Sequence, residues 1–85
     1  MNREERIFQK LTSDLEPTKL IVRDVSNEHH GHAGWRESGE THFEVDISSP
    51  NFEGLTRVAA HRLVNEALAD ELASGLHALQ IKILR

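Results

Sequence analysis

The chain has 85 residues, no cysteine, and a formal net charge of −4 with its six histidines neutral. That length suits one domain with a modest core, and 38% hydrophobic beside 28% charged residues marks a folded chain rather than a disordered one. The composition excludes a disulfide framework, a thiolate nucleophile and a zinc ribbon, and it argues against coating nucleic acid by bulk electrostatics.

No apolar run approaches the ~20 residues of a membrane span, and the opening "MNREERIFQK" is too charged for a secretory signal. The expected setting is cytoplasmic or the organelle equivalent, with no membrane partner. Asn2 with Glu5 behind it forms a capping-box pattern, and Ile7, Leu11 and Leu15 recur at four-residue spacing. This predicts a first helix that stops before Pro17. "KLIVRDV", Lys19 to Val25, is short and β-branched, and "HFEVDI", His42 to Ile47, puts Phe43, Val45 and Ile47 on one face. These are two strands. The polar stretch between them, with Gly31, Gly34 and Gly39, predicts a hairpin with an unusually long loop, the kind that tends to carry function.

Ser49-Pro50 and then Gly54 predict a short turn before the main helix. That helix starts near Thr56, carries an apolar stripe of Ala60, Leu63, Val64, Ala67 and Leu68, and runs on through Glu71. Gly75 stops it or its short continuation. "ALQIKIL", Ala78 to Leu84, alternates Leu79, Ile81 and Ile83 with Gln80 and Lys82, as a third strand with one wet face does. The expected architecture is α+β, two layers, with helices on one face of a three-stranded mixed sheet. A strand, helix, strand connection leaves its strands parallel, so the third strand starts at the end of the sheet where the long loop attaches. His77 stands directly before that start.

The loop "NEHHGHAGW", Asn27 to Trp35, holds His29, His30 and His32. Neutral imidazole is a common ligand for zinc, copper, nickel and iron, and these three could converge with His77 on a metal. Equally, glycine-flanked histidines can form a solvated connection, and residue types alone leave both readings open. His42, at the opening of a strand, suits structural hydrogen bonding at the loop edge. In the main helix Arg57 and His61 share a flank one turn apart, while Arg62 points elsewhere. They form either a solvated helix surface or a small basic patch for a carboxylate, a phosphate or a partner protein. "GHAG", Gly31 to Gly34, fits the GxxG pattern of KH domains, but it lies between two strands and has no basic residue. There is no P-loop, dinucleotide fingerprint or HExxH, and nothing fixes Ser, His and Asp in a catalytic relation. The chain does not read as an enzyme.

Three segments together, "ETHFEVDIS", "FEGLTRVAAHRLVNEALADEL" and "LHALQIKI", make the chain resemble the BolA family over nearly its whole length. The resemblance implies an αββααβ fold related to class II KH domains, with residues 1–85 as one BolA-like domain. It also implies a binding partner rather than an enzyme. Proteins of this family pair with monothiol glutaredoxins and hold a shared [2Fe-2S] cluster used in iron–sulfur maturation, trafficking or iron regulation, with glutaredoxin and glutathione supplying sulfur. On this resemblance the chain is of the histidine type, its ligands being His77 and either His29 or His32, with His30 third. Imidazole in place of thiolate removes negative charge from such a cluster and raises its potential. The resemblance also offers a second function, DNA-binding transcriptional regulation through the KH-like fold and the main helix with Arg57, His61 and Arg62. Ala60 stands where other members place an arginine before the histidine, which trims that patch. Alone, the chain is expected to be a monomer or a weak homodimer.

Overall fold

Asn2 accepts a hydrogen bond from the Glu5 backbone N–H at 2.9 Å, and helix α1 (Arg3–Leu15) begins there. The computed structural model describes residues 2–26 and 41–84. Ile7, Leu11 and Leu15 form the buried face of α1, as their spacing predicts. The helix ends at Glu16, which adopts a left-handed conformation at φ 45° before Pro17, a residue that has no N–H to continue the ladder.

Strand β1 (Lys19–Asp24) pairs antiparallel with β2 (His42–Ser48), Val22 opposite Val45. Strand β3 (Ala78–Ile83) pairs parallel with β2, Val45 opposite Ile81, so β2 is the central strand. One face of β2 presents Phe43, Val45 and Ile47 to a core completed by Ile7, Leu11, Leu15, Ala60, Val64 and Leu68. The other face carries charge. Arg23 bridges Glu44 and Asp46, each at 3.2 Å, and these hydrogen bonds, Asp46 first, push its guanidinium further toward the charged form. This is the wet face expected from the alternation of β3.

Between β2 and the next helix, a 3-10 turn (Pro50–Phe52) follows the Ser49-Pro50 signal. Ser49 Oγ and Asn51 Nδ2 both donate to the Leu15 carbonyl, which ties this turn to an orphan C-terminal carbonyl of α1. Helix α2 (Arg57–Ala67) starts at Thr56, whose hydroxyl accepts from the Ala59 N–H at 3.1 Å.

The long helix expected through Glu71 is divided. Helix α2 ends at Ala67, Leu68 leaves helical geometry at φ −101° and ψ 16°, and a short helix α3 (Ala69–Ala73) follows. Leu68 is 0% exposed, and the change of direction carries Glu71 back to α1. There its carboxylate takes Arg3 at 3.1 Å and Arg6 at 3.0 Å, while Arg3 also donates to the Glu71 and Ser74 carbonyls. Tertiary ion pairing overrides the local helical pattern at this point. Gly75, at φ 125°, then turns the chain toward β3. Among the described residues no helix is long and apolar enough to cross a membrane.

Glu71→Ala removes the shared partner of two arginines, one of them largely buried. Hydrogen bonds to charged groups of this kind are worth about 1.5–3 kcal/mol, so urea unfolding should show a loss of that order with the m-value unchanged.

Candidate metal-ligand site

Parallel pairing puts the first residues of β2 and β3 side by side, with His42 opposite Ala78. The Thr41 carbonyl accepts from the His77 N–H at 2.8 Å and from the Ala78 N–H at 3.0 Å. His77 is thereby fixed by its backbone at the edge of the sheet where the segment 27–40 departs and returns, as the topology argument requires. Its side chain is exposed to solvent.

The two ends of that segment are fastened together by buried hydrogen bonds. Ser26 Oγ accepts from the Thr41 N–H at 3.0 Å and from the His42 N–H at 3.2 Å, and the Val25 N–H reaches the His42 carbonyl at 2.9 Å. Asp24 Oδ1 in turn accepts the Ser26 N–H at 2.9 Å, an Asx-type contact that orients the serine. Thr41 Oγ1 lies 2.8 Å from His42 Nδ1. His42, only 4% exposed, thus has the structural hydrogen bonding expected of it.

Sequence reasoning did not find what His42 touches. Its ring centroid lies 5.3 Å from that of His77, with the planes tilted by 52°. This is the separation of packed aromatic rings. Register alone does not give this contact: it pairs His42 with Ala78 and leaves His77 level with Thr41, so the two rings meet on a diagonal at the strand ends.

His29, His30 and His32, and the GHAG segment with them, lie outside the described residues. Among the described residues no group of three or more His, Asp or Glu side chains is arranged to hold a metal ion. The described part of the site is therefore one accessible imidazole, His77, backed by a second, buried one.

The basic residues of α2 lie where the sequence put them. Arg57 and Arg62 are exposed and His61 is half-buried, and neither arginine has an ion pair among the described residues. The first turn of α2 carries no acid, and Val58 beside Arg57 is 60% exposed. A cation at a helix N-terminus opposes the macrodipole, so Arg57 is not there to stabilise the helix.

Comparison with known proteins gives a consistent kinship. The family described as BolA-like protein matches residues 11–85. The chain is similar to Protein BOLA1, chloroplastic, of Arabidopsis thaliana, at 51% identity over 82 residues, covering 94% of this chain and 51% of that protein. It also matches SufE-like protein 1, chloroplastic/mitochondrial, of the same plant at 51% identity, covering 89% of this chain and 22% of that protein. The chain thus spans about half the length of the first relative and less of the second. The solved BolA domain of that SufE1 superposes with a TM-score of 0.87 at 47% identity, covering 98% of this chain and 91% of that one. A relative from Vibrio cholerae named DNA-binding transcriptional regulator BolA is 45% identical, covering 88% of this chain and 67% of that protein.

The buried fastening at the loop ends depends on one hydroxyl. Ser26→Ala leaves two buried backbone N–H groups without their acceptor and should cost about 1–3 kcal/mol in urea unfolding. Amide exchange at Thr41 and His42 should accelerate more than at the core residue Val64.

Proposed function

The chain belongs to the BolA-like protein family, and on that premise we propose that it is a partner of a monothiol glutaredoxin, contributing histidine ligands to a bridging [2Fe-2S] cluster shared with glutathione. The observation that carries this reading is the accessible His77 imidazole, whose backbone is pinned to Thr41 at the loop-bearing edge of the sheet. A rigidly held first ligand beside a long connection that bears three histidines suits a site completed by a second protein.

The donor chemistry fits. Imidazole nitrogen is an established ligand for iron in [2Fe-2S] centres, and a chain without cysteine leaves the thiolate positions to its partner. When bound, the cluster supplies one-electron chemistry at a potential raised by imidazole relative to thiolate. The second ligand is His29 or His32, with His30 behind them. All three are within about 22 Å of chain contour from Ser26, which is itself fastened to Thr41, so each can reach His77. The role is a binding one in iron–sulfur maturation, trafficking or iron regulation. An organelle setting stands beside the cytoplasmic one, since one relative is chloroplastic by name.

Reconstitution of the chain with a monothiol glutaredoxin, iron, sulfide and glutathione tests partner, cofactor and ligand together. His77→Ala should abolish the visible bands of the mixed complex, and either His29→Ala or His32→Ala should do the same. An unchanged cluster spectrum in His77→Ala would sink the ligand assignment.

A second reading, binding of duplex DNA through α2, is favoured by Arg57 and Arg62, which have no ion pair among the described residues, and by the name of the Vibrio relative. The acidic balance of the chain opposes it. With two phosphate contacts, affinity should fall about tenfold between about 50 and about 200 mM salt. Arg57→Ala and Arg62→Ala should flatten that slope, and an affinity insensitive to salt excludes phosphate contacts by these residues.

A further inference from the structure

We propose that His42 is a positioning residue for His77: a hydrogen-bonded relay from Ser26 through Thr41 holds the buried His42 ring against the exposed His77 ring and fixes its orientation. The inference rests on the proposed ligand role of His77 for its consequence in the complex, but its geometry stands in the chain alone.

Ser26 Oγ accepts two backbone N–H groups, from Thr41 and His42. The Thr41 hydroxyl lies beside it at 3.4 Å, directed to Ser26 Oγ. Thr41 Oγ1 also lies 2.8 Å from His42 Nδ1, and this short hydrogen bond holds the His42 ring in place and selects one of its two neutral tautomers.

All three residues are buried: Ser26, Thr41 and His42 sit between the ends of β1 and β2. Their side chains cannot swing without breaking the fastening described above. His77 differs. Its backbone is held by the Thr41 carbonyl, but its exposed ring has rotamer freedom that only a neighbour can remove. The described neighbour is the His42 ring at 5.3 Å. Thr41 thus supplies both halves of the arrangement, its carbonyl to the His77 backbone and its hydroxyl to the ring that braces the His77 side chain.

Ligating histidines commonly owe their orientation to outer partners that hydrogen-bond the second ring nitrogen, at a stake of about 10–100-fold in metal affinity, and here a packed ring takes the orienting place. His42 is a structural residue in its hydrogen bonds and a positioning residue in its ring contact. The two roles can be separated by keeping the ring or by keeping the hydrogen bond.

Nitrogen-15 NMR of the imidazoles in the full chain without metal, at about pH 8 where unperturbed rings are neutral, reads the first half. His42 should show a single dominant tautomer, set by its hydrogen bond to Thr41. Thr41→Val, close in shape but without the hydroxyl, should mix the His42 tautomers and move the ring resonances of His77 while the amide spectrum of the core stays in place. In the glutaredoxin complex, His42→Leu should speed cluster loss to a chelator by about tenfold or more, and His42→Phe, which restores a ring, should recover most of that loss. If the His77 ring resonances are the same in wild type, Thr41→Val and His42→Phe, and the rate of cluster loss is the same in His42→Leu, the positioning role is overturned. A cluster that survives His77→Ala unchanged removes the ligand reading instead, and the metal-free NMR result then stands or falls by itself.

Discussion

Parallel pairing of β2 with β3 forces the chain to cross over between Ser48 and Ala78, because parallel neighbours cannot be joined by a tight turn. The crossover is filled by α2 and α3, and the side chains they turn inward, Ala60, Val64 and Leu68, close the core over Phe43, Val45 and Ile47. The same pairing sets the start of β3 beside the start of β2. His77 therefore meets Thr41 for the same reason that Val64 and Val45 share one core: a single ladder fixes both the core and the His77 edge. A shift of β3 by one residue along β2 would turn Leu79, Ile81 and Ile83 outward and move His77 off the Thr41 carbonyl.

Charge is distributed by pairing rather than by net balance. Glu71 absorbs Arg3 and Arg6, Asp14 takes Lys10, and Glu44 with Asp46 takes Arg23 across the open face of the sheet. On α2, Arg57 and Arg62 have no ion pair among the described residues and stand against the single acid Glu66, a small local cationic surplus on an acidic chain. Recognition of an acidic partner surface needs only such a local surplus, and it coexists with a net repulsion that discourages unspecific contact.

Much of the architecture was legible because each element announces itself in one period or one cap. Asn2 and Thr56 begin helices as their side chains require, Pro17 and Gly75 follow helix ends, and the alternation around Val45 and Ile81 gives both strands their inner faces. The division at Leu68 was not legible, since Glu66 to Ala73 reads as uninterrupted helix and Glu71 answers to arginines 68 and 65 residues away. The edge location of His77 followed from topology alone. Its contact with His42 required the register as well, and the Ser26–Thr41 fastening required knowing which polar side chains become buried, which composition does not reveal. The choice between His29 and His32 turns on a backbone path that no periodicity encodes, because the segment from Asn27 to Glu40 has none.

The Glu71 clamp joins residues 68 positions apart, so α1 is secured by α3. Neither α1 nor α3 is complete until the chain has brought its two ends together. Such distant closure raises the contact order of the domain, which slows folding relative to a helical bundle of the same length. It also couples the elements: Arg3 is bonded to Glu71 in α3, α3 leads directly into Leu76 and His77, and the His77 edge is thus linked to α1. Opening at either end is felt by the whole, which favours all-or-none unfolding over stepwise loss of parts.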